Sequence, residues 1–184
     1  MFLSVKEMEL RKIRFDETFE PGRIGFAEEV PSGPGELELV APLEAKGSAE
    51  LLPHTDGEVR VQGRYRAEVA TQCDRCLGRA RFSLDQPFDL FYRPMSFIAR
   101  EEEVEIDEGE AEIGFYEGGG IELEDILREQ VLLALPMQRI CSDECKGICP
   151  VCGRNRNEAE CQCRVDNSDD RWAALRKLQS EPRP

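Results

Sequence analysis

The segment CSDECKGICPVCGRNRNEAECQC, residues 141–163, contains six of the eight cysteines of this chain. Cysteines at this density are typical of disulfide frameworks or of metal sites. The first residues, MFLSVKEMELRKIRF, carry charges from Lys6 onward and so lack the apolar run of a signal peptide. No segment reaches the roughly 20 apolar residues that a membrane span requires. We therefore expect a cytoplasmic protein with no membrane partner, in which thiols are reduced and disulfides are rare.

The cysteine spacing favours metal binding. Cys149 and Cys152, in CPVCG, have the spacing of a zinc knuckle, in which a tight turn places two thiolates on one ion. Cys161 and Cys163 follow closely enough to complete a tetrahedral four-thiolate site within 15 residues. We expect one zinc ion at these four cysteines.

The remaining cysteines allow a second zinc ion. Cys73 and Cys76 lie in CDRC, and Cys141 and Cys145 begin the cysteine-rich segment. An ion shared by these four would join distant parts of the chain, where loop closure is costly without a cross-link. An alternative partition adds Cys141 and Cys145 to the knuckle of residues 149–152, or leaves two cysteines without a ligand role. The expected cofactor is therefore zinc, as one ion or as two.

A dithiol redox enzyme is an alternative, because Cys-x-x-Cys is also an oxidoreductase motif. Such motifs usually lie at a helix N-terminus in a βαβ unit, which lowers the thiol pKa. CDRC instead lies between two runs that predict antiparallel strands, and six further cysteines would need another explanation. His54 is the only histidine and lies in a turn-forming HTDGE stretch. Without a phosphate loop or nucleophile elbow, we expect no enzyme and no small-molecule substrate.

The most regular alternation of apolar residues flanks CDRC. EVRVQGRYRAEVATQC and GRARFSLDQPFDL predict two antiparallel strands joined as a hairpin. If Cys73 lies opposite Cys76, the numbers of all paired residues sum to 149. This register would pair apolar residues on one face and opposite charges on the other, which stabilises a hairpin.

Other segments complete the predicted fold. ELELVAPLEA, residues 36–45, predicts a strand, and its Pro42 favours a sheet edge. Residues 122–135 have one apolar face and predict a helix that covers the sheet and ends before Pro136. SDDRWAALRKLQ, residues 168–179, predicts a short terminal helix. The expected class is α+β: an antiparallel β-sheet with one covering helix, a zinc-stapled cysteine-rich C-terminal tail and a short terminal helix.

The chain divides into two predicted parts. Residues 1–138 should form the α+β core domain, and residues 139–184 the zinc-binding tail with the terminal helix. Residues 101–125 form an acidic insertion in the core, with twelve acidic residues and no Lys or Arg against a net charge of −14 for the chain. Such a segment is typical of a solvated loop or edge hairpin; an acidic docking surface is the alternative.

The chain is locally basic beside the expected metal sites. We expect these residues to contact RNA or another partner: Arg75, Arg79, Lys146, Arg154, Arg156 and Arg164. Each phosphate contact would add affinity that falls with salt. The net charge disfavours diffuse binding to RNA, so a focused contact or a protein partner is expected.

Four separated motifs resemble the YceD family, the large ribosomal RNA subunit accumulation proteins: CDRC, the helix ending LALP, CSDECKGICPVCG and DDRWAALRKL. The resemblance implies a non-enzymatic bacterial factor for accumulation or maturation of large-subunit (23S) ribosomal RNA, with a plastid counterpart in plants. Its partner would be ribosomal RNA or a ribosome-assembly or processing protein. Arg156 departs from the usual Leu and Asp170 from the usual Pro, and neither change removes a cysteine. A zinc-ribbon nucleic-acid-binding module of another pathway is the alternative function.

Overall fold

A computed structural model describes residues 1–26, 37–96 and 113–164. Within these ranges the elements are, in order, β1 (Phe2–Ser4), α1 (Val5–Met8), β2 (Ile13–Phe19), β3 (Glu38–Leu39), β4 (Leu43–Leu51), β5 (Val59–Gln72), β6 (Arg79–Pro94), β7 (Ile113–Tyr116), β8 (Gly120–Glu122) and α2 (Leu123–Ala134). The sheet-rich architecture with helices confirms the α+β class.

The main sheet has the strand order β2-β4-β5-β6-β7, and β3 also pairs with β5. Its neighbouring strands are antiparallel except β6 and β7, which are parallel. The parallel pair was not expected, but the 18 residues between Pro94 and Ile113 are long enough for the crossover that parallel pairing requires. β1 and β8 form a separate two-stranded sheet.

The apolar faces of β5 and α2 share one hydrophobic core. The helix contributes Leu123, Ile126, Leu127 and Val131 to it. The strand contributes Tyr65, whose hydroxyl donates a hydrogen bond to the carbonyl oxygen of Gln130 in α2 at 2.9 Å. The predicted covering helix is therefore confirmed, because its apolar stripe packs on the sheet as the periodicity indicates.

The β5–β6 hairpin is present, but the predicted register is wrong by two residues. Gln72 pairs with Arg79, so paired numbers sum to 151. The cause is a six-residue loop from Cys73 to Gly78, in which the Cys73 N–H donates to the Gly78 carbonyl at 2.7 Å. Leu77 takes a left-handed φ of 60° in this loop. Cys73 therefore does not lie opposite Cys76 in the ladder.

The shift in register leaves each side chain on its predicted face, because two residues are one full period of a strand. Arg60 still bonds Asp89, with Nη2 and Oδ2 2.6 Å apart, but as a diagonal neighbour. Arg64 likewise bonds Asp85 across the diagonal. Arg60 and Arg64 thus keep their predicted acidic partners despite the shift.

The strand predicted over residues 36–45 is interrupted at Pro42. Both β3 and β4 pair with β5, and Pro42 lies between them because it has no N–H to donate to a ladder. The predicted edge position is wrong for β4, which lies between β2 and β5. The sequence analysis did not identify β1, α1 or β2.

Part of the acidic segment 101–125 is ordered into β7, β8 and the first turn of α2. Residues 101–112 and the predicted terminal helix at 168–179 lie outside the described residues. The domain division at 138/139 stays a prediction. None of the helices in the described ranges has the length and apolar character needed to cross a membrane.

Candidate metal centres

Four cysteines converge where the hairpin loop meets the chain after α2. The sulfur atoms of Cys73, Cys76, Cys141 and Cys145, here called the tip cluster, all lie within 4.8 Å of one another. The Sγ atoms of Cys73 and Cys145 are 3.8 Å apart, and those of Cys76 and Cys141 are 3.7 Å apart. The hairpin and the C-terminal segment therefore meet at this cluster.

Backbone contacts hold the two segments of the tip cluster together. The Asp74 N–H donates to the Arg139 carbonyl at 2.8 Å, and the Arg139 N–H donates to Asp74 Oδ2 at 2.6 Å. The Cys141 N–H points at the Cys73 sulfur, with N and Sγ 3.3 Å apart. These hydrogen bonds hold the chain after α2 against the hairpin loop without the help of a metal ion.

The other four cysteines form a second group in the C-terminal segment. The sulfur atoms of Cys149, Cys152, Cys161 and Cys163, here called the tail cluster, also lie within 4.8 Å of one another. These two groups have the same members as the two sets of four expected from the sequence. The alternative grouping of Cys141 and Cys145 with the 149–152 knuckle is not formed.

A tight turn builds the tail cluster. The Gly153 N–H donates to the Cys149 carbonyl, and the Cys149 N–H donates to the Arg154 carbonyl, each at 2.8 Å. This turn also rests on the hairpin loop, because the Ile148 N–H donates to the Arg75 carbonyl at 2.9 Å. Gly147 is required at this contact, since a Cβ there would lie 3.0 Å from the Arg75 oxygen in addition to its φ of 69°. The two clusters are therefore neighbours in one compact unit.

Asn157 lies between the two cysteine pairs of the tail cluster and contacts the tip cluster, a role that was not predicted from the sequence. Its Nδ2 lies 3.4 Å from the Cys145 sulfur, and its Oδ1 accepts from the Lys146 N–H at 2.8 Å. Asn155 supports it by accepting the Asn157 N–H at 3.0 Å. The hydrogen bond from the Asn157 side chain to the Cys145 sulfur is the main cause that lowers the pKa of Cys145. The NRN stretch between the two cysteine pairs of the tail cluster was the available signal, since amide donors commonly orient thiolate ligands.

Hydrogen bonds favour a thiolate at one position of the tip cluster. Burial raises the pKa of Cys73, but the backbone N–H groups of Cys76, Arg75 and Cys141 outweigh it and lower this pKa to about 6. An N–H group directed at a sulfur stabilises the charged form, which is the form that binds metal. Cys73 could therefore act as a thiolate ligand.

The tail cluster has the same feature. The backbone N–H groups of Cys152 and Val151 lower the pKa of Cys149 to about 6. In contrast, hydrogen bonding to Cys152 is the largest effect on Cys163 and raises its pKa to about 12. Cys149 therefore ionises readily, whereas the neighbouring thiols oppose the ionisation of Cys163.

The tip cluster shows the same opposition between neighbouring thiols. The Gly78 N–H lowers the pKa of Cys76, but burial and the surrounding thiols outweigh it and raise this pKa to about 12. Hydrogen bonding to Cys145 raises the pKa of Cys141. A divalent cation would remove the repulsion between adjacent thiolates. Both cysteine groups could therefore hold a metal ion.

The predicted basic contact residues differ in their surroundings. Arg79 bonds Glu38, with Nη2 and Oε1 2.5 Å apart. Lys146 Nζ lies 4.0 Å from Glu160 Oε1. These two charges are partly satisfied within the protein.

Arg75 and three tail arginines make fewer contacts with acidic side chains. Arg75 contacts the neutral side chain of Gln138 at 3.4 Å. Within the part of the chain that the structure describes, no carboxylate bonds the following arginines: Arg75, Arg154, Arg156 and Arg164. Their guanidinium groups remain available to an anionic partner.

We expect Asn157→Asp to weaken metal binding at the tip cluster by about 10- to 100-fold, the usual effect of losing an outer-shell contact. The change removes the donor to Cys145 and places a negative charge beside a thiolate. Competition with a chromophoric chelator would measure it. Glu160→Gln, an exposed change in the same segment, should leave the affinity unchanged. Equal affinity of the Asn157→Asp and parent proteins would contradict a role for Asn157 at the cluster.

Comparisons with known proteins show which family the chain resembles. The model of the family described as "Large ribosomal RNA subunit accumulation protein YceD" matches residues 61–179. "Uncharacterized protein YlbN" of Bacillus subtilis (strain 168) is 24% identical over 173 residues, which cover 94% of this chain and 91% of YlbN. "Uncharacterized protein Rv2926c" of Mycobacterium tuberculosis (strain H37Rv) is 35% identical over 121 residues, or 64% of this chain and 54% of that protein.

A plant relative carries the family's name. It is "Large ribosomal RNA subunit accumulation protein YCED homolog 1, chloroplastic" of Arabidopsis thaliana, which is 31% identical over 61 residues, or 33% of this chain and 19% of the plant protein. No solved structure matches. Since the family model matches well over half of the sequence and includes all eight cysteines, the chain belongs to the YceD family, whose name implies a role in large-subunit ribosomal RNA accumulation.

Proposed function

We propose that this protein is a cytoplasmic, non-enzymatic factor that binds two zinc ions and supports accumulation and maturation of large-subunit (23S) ribosomal RNA. The observation that carries the proposal is the pair of four-cysteine clusters within a chain of the YceD family. The family's name describes the fate of an RNA and no chemical reaction. The zinc ions would have a structural role.

Zinc is the proposed metal because the donor set and spacing suit it. Four thiolates select zinc or iron–sulfur clusters, and structural zinc is tetrahedral with Zn–S bonds near 2.3 Å. The edge of such a tetrahedron is about 3.8 Å. The sulfur separations of 3.8 and 3.7 Å in the tip cluster fit a single ion.

The proposed ligands are the four cysteines of each cluster. An ion in the tip cluster would fix the chain after α2 against the β5–β6 hairpin, and an ion in the tail cluster would hold a local turn. Together they would keep the tail arginines in a fixed arrangement. A rigid set of positive groups binds a phosphate backbone with less loss of conformational entropy than a flexible one.

We propose that the RNA contact is made by the six basic residues beside the clusters. Arg75, Arg154, Arg156 and Arg164 are favoured as direct contacts because no described carboxylate neutralises them. Arg79 and Lys146 would contribute less, since each has an acidic neighbour. A local contact of this kind is compatible with a net charge of −14, which opposes binding elsewhere on the surface.

Deletion of the gene in its host tests the function. We expect a reduced ratio of 23S to 16S ribosomal RNA, restored by the parent gene. Crosslinking of the tagged protein followed by sequencing should recover large-subunit RNA. An unchanged RNA ratio, with crosslinks confined to unrelated RNAs, would instead support a zinc-ribbon module of another pathway.

The RNA contact is tested with paired variants. Arg154→Gln with Arg156→Gln should weaken binding of purified protein to 23S fragments and reduce the slope of log K against log salt by about 0.7 per lost contact on single strands. Arg11→Gln with Arg14→Gln removes the same charge far from the clusters in sequence. If both pairs have the same effect, the contact is not at the tail.

A dithiol redox activity is the second candidate, because the pKa of Cys73 is lowered to about 6. Cys73 and Cys145 are both buried, which limits access for a disulfide substrate. A redox enzyme should be purified without metal and should cycle between thiol and disulfide. A structural zinc protein should retain two metal equivalents under reducing conditions and show no turnover.

We expect Cys149→Ser to loosen the C-terminal segment without unfolding the sheet, because the tail cluster is local and the core has its own apolar faces. Metal content should fall from two equivalents to one, and amide exchange should rise in residues 141–164 only. Val151→Ser, an exposed change in the same turn, is the control. Loss of protection across β5 and β6 as well would contradict the local grouping of ligands.

A further inference from the structure

A cleft of about 810 Å³ lies away from the cysteine clusters, where β7, β8 and α2 meet. Four aromatic residues line it: Phe2, Tyr92, Phe115 and Tyr116. Phe2 is 51% exposed and Phe115 is 39% exposed. Neighbouring exposed aromatic rings in a concave surface are typical of a binding site.

The local backbone is adapted to this arrangement of rings. Gly114 in β7 lies opposite Tyr92 in β6. A Cβ at Gly114 would lie 2.6 Å from the Tyr92 ring, so only glycine allows the ring to lie against the strand. The Tyr116 hydroxyl donates to the Gly57 carbonyl at 2.7 Å, which fixes a second ring. The floor of the cleft is therefore rigid and aromatic.

Exposed carboxylates surround the aromatic floor. They are Glu117, Glu122, Asp125 and Glu129. Among the described residues that line the cleft, Arg128 is the one basic side chain, and its Nη1 bonds Asp125 at 2.6 Å. Glu122 lies 3.7 Å from the Met1 amino group. Glu117 and Glu129 have no ion-pair partner among the residues that the structure describes.

The negative charge reaches the floor of the cleft. Burial is the main cause that raises the pKa of the Tyr92 hydroxyl, and the charge of Glu129 raises it further. We call this site the acidic cleft. It combines exposed aromatic surface with two carboxylates, Glu117 and Glu129, that have no cationic partner in the described part of the chain.

These features exclude several ligand classes. An RNA phosphate would be repelled by the carboxylates. A divalent cation such as Mg²⁺ or Ca²⁺ needs several oxygen ligands that converge on one point. In the described ranges, the groups of side chains that could hold a metal ion consist of cysteines alone, and none lies in this cleft. A purely apolar ligand would offer no positive charge to the carboxylates. A cationic ligand with an apolar or aromatic part fits both the charge and the rings.

We propose that the acidic cleft binds a basic segment of another protein: an extended stretch rich in Lys and Arg, with one aromatic or large aliphatic side chain seated on the rings. Separate carboxylates suit several positive side chains spaced along a chain. Basic arms are typical of proteins that bind nucleic acid. The choice of a ribosomal protein as the donor of the arm rests on the proposed function, whereas the preference for a basic segment does not.

Peptide binding to the intact, metal-loaded protein tests the proposal. The probe is a fluorescein-labelled peptide of Lys, Arg and Ser with one central Phe, measured by fluorescence anisotropy at several salt concentrations. We expect saturable binding that weakens with salt. Replacing the Phe with Ser should weaken it about fivefold, and replacing every Lys and Arg with Gln should abolish it.

Matched variants locate the site. Glu117→Gln with Glu129→Gln should weaken binding about tenfold, since each exposed ion pair adds only a few-fold. Glu17→Gln with Glu44→Gln makes the same charge change on β2 and β4, at the other end of the sheet, and should change affinity less than twofold.

Three outcomes would overturn the proposal. Equal weakening by both variant pairs would show general attraction to an acidic protein. Equal binding of the Gln-substituted peptide would exclude charge recognition. Binding of a labelled single-stranded RNA that is lost in the Glu117/Glu129 variant would make the cleft an RNA site. Since none of these measurements uses 23S RNA or metal content, failure here leaves the proposed function untouched.

Discussion

Replacing both Cys73 and Cys76 with Ser should remove one of two metal equivalents and lower the unfolding midpoint far more than Cys149→Ser does. The tip cluster joins the hairpin to the chain after α2, across a sequence separation of 65 residues from Cys76 to Cys141. Structural zinc contributes roughly 10 kcal/mol or more of binding free energy, whereas a domain is stable by only about 5 to 15 kcal/mol. Losing even part of that energy is expected to destabilise the whole core.

Atomic emission and thermal unfolding would measure the two effects. Cys149→Ser with Cys152→Ser is the matched control, because it also removes two thiol ligands and one metal equivalent but only from the local tail cluster. The two-zinc proposal fails if the Cys73/Cys76 variant retains two equivalents, or if the reduced parent protein carries fewer than two. Equal midpoints for the tip and tail variants would show that the tip ion does not stabilise the core.

The cysteine grouping was accessible from the sequence because each pair lies in a short local turn. The Cys-x-x-Cys of CDRC and CPVCG limits where two sulfurs can point, and the count of eight leaves few partitions. The hydrogen bonds that tune the thiolates were less accessible. The Asn157 side chain that approaches Cys145 is held by the Lys146 N–H and by Asn155 Oδ1, and no spacing rule encodes that network.

The errors in the fold have physical causes that lie outside the pattern of apolar and charged residues. The hairpin register was set by placing Cys73 opposite Cys76, and charge and apolar pairing supported it because a shift of two residues changes those pairs only from direct to diagonal contact. The six-residue CDRCLG loop decides between the two registers through its own hydrogen bonds. The parallel placement of β7 depends on tertiary packing, because a four-residue strand carries too little periodicity to show its direction.

Gly47 and Gly63 lead to the second prediction of a large effect. They face each other across β4 and β5. A Cβ at Gly47 would lie 2.2 Å from the Gln62 carbonyl oxygen and 2.7 Å from the ring of Phe15. That ring stacks with Phe88, with centroids 6.5 Å apart and planes 8° from parallel. The glycine pair thus makes room for the aromatic stack of the core.

We expect Gly47→Ala to lower the free energy of unfolding by about 3 kcal/mol, the upper part of the usual cost of overpacking. The clash is with backbone as well as with a ring, so no side-chain rotation relieves it. Gly25→Ala is the control, because no atom of the described residues lies within 4 Å of its added Cβ. There the smaller entropy of the unfolded chain should leave stability unchanged or raised by up to about 1 kcal/mol. Urea denaturation measures both, and a Gly47→Ala protein as stable as the Gly25→Ala protein would contradict the close approach of β4 and β5 at this pair.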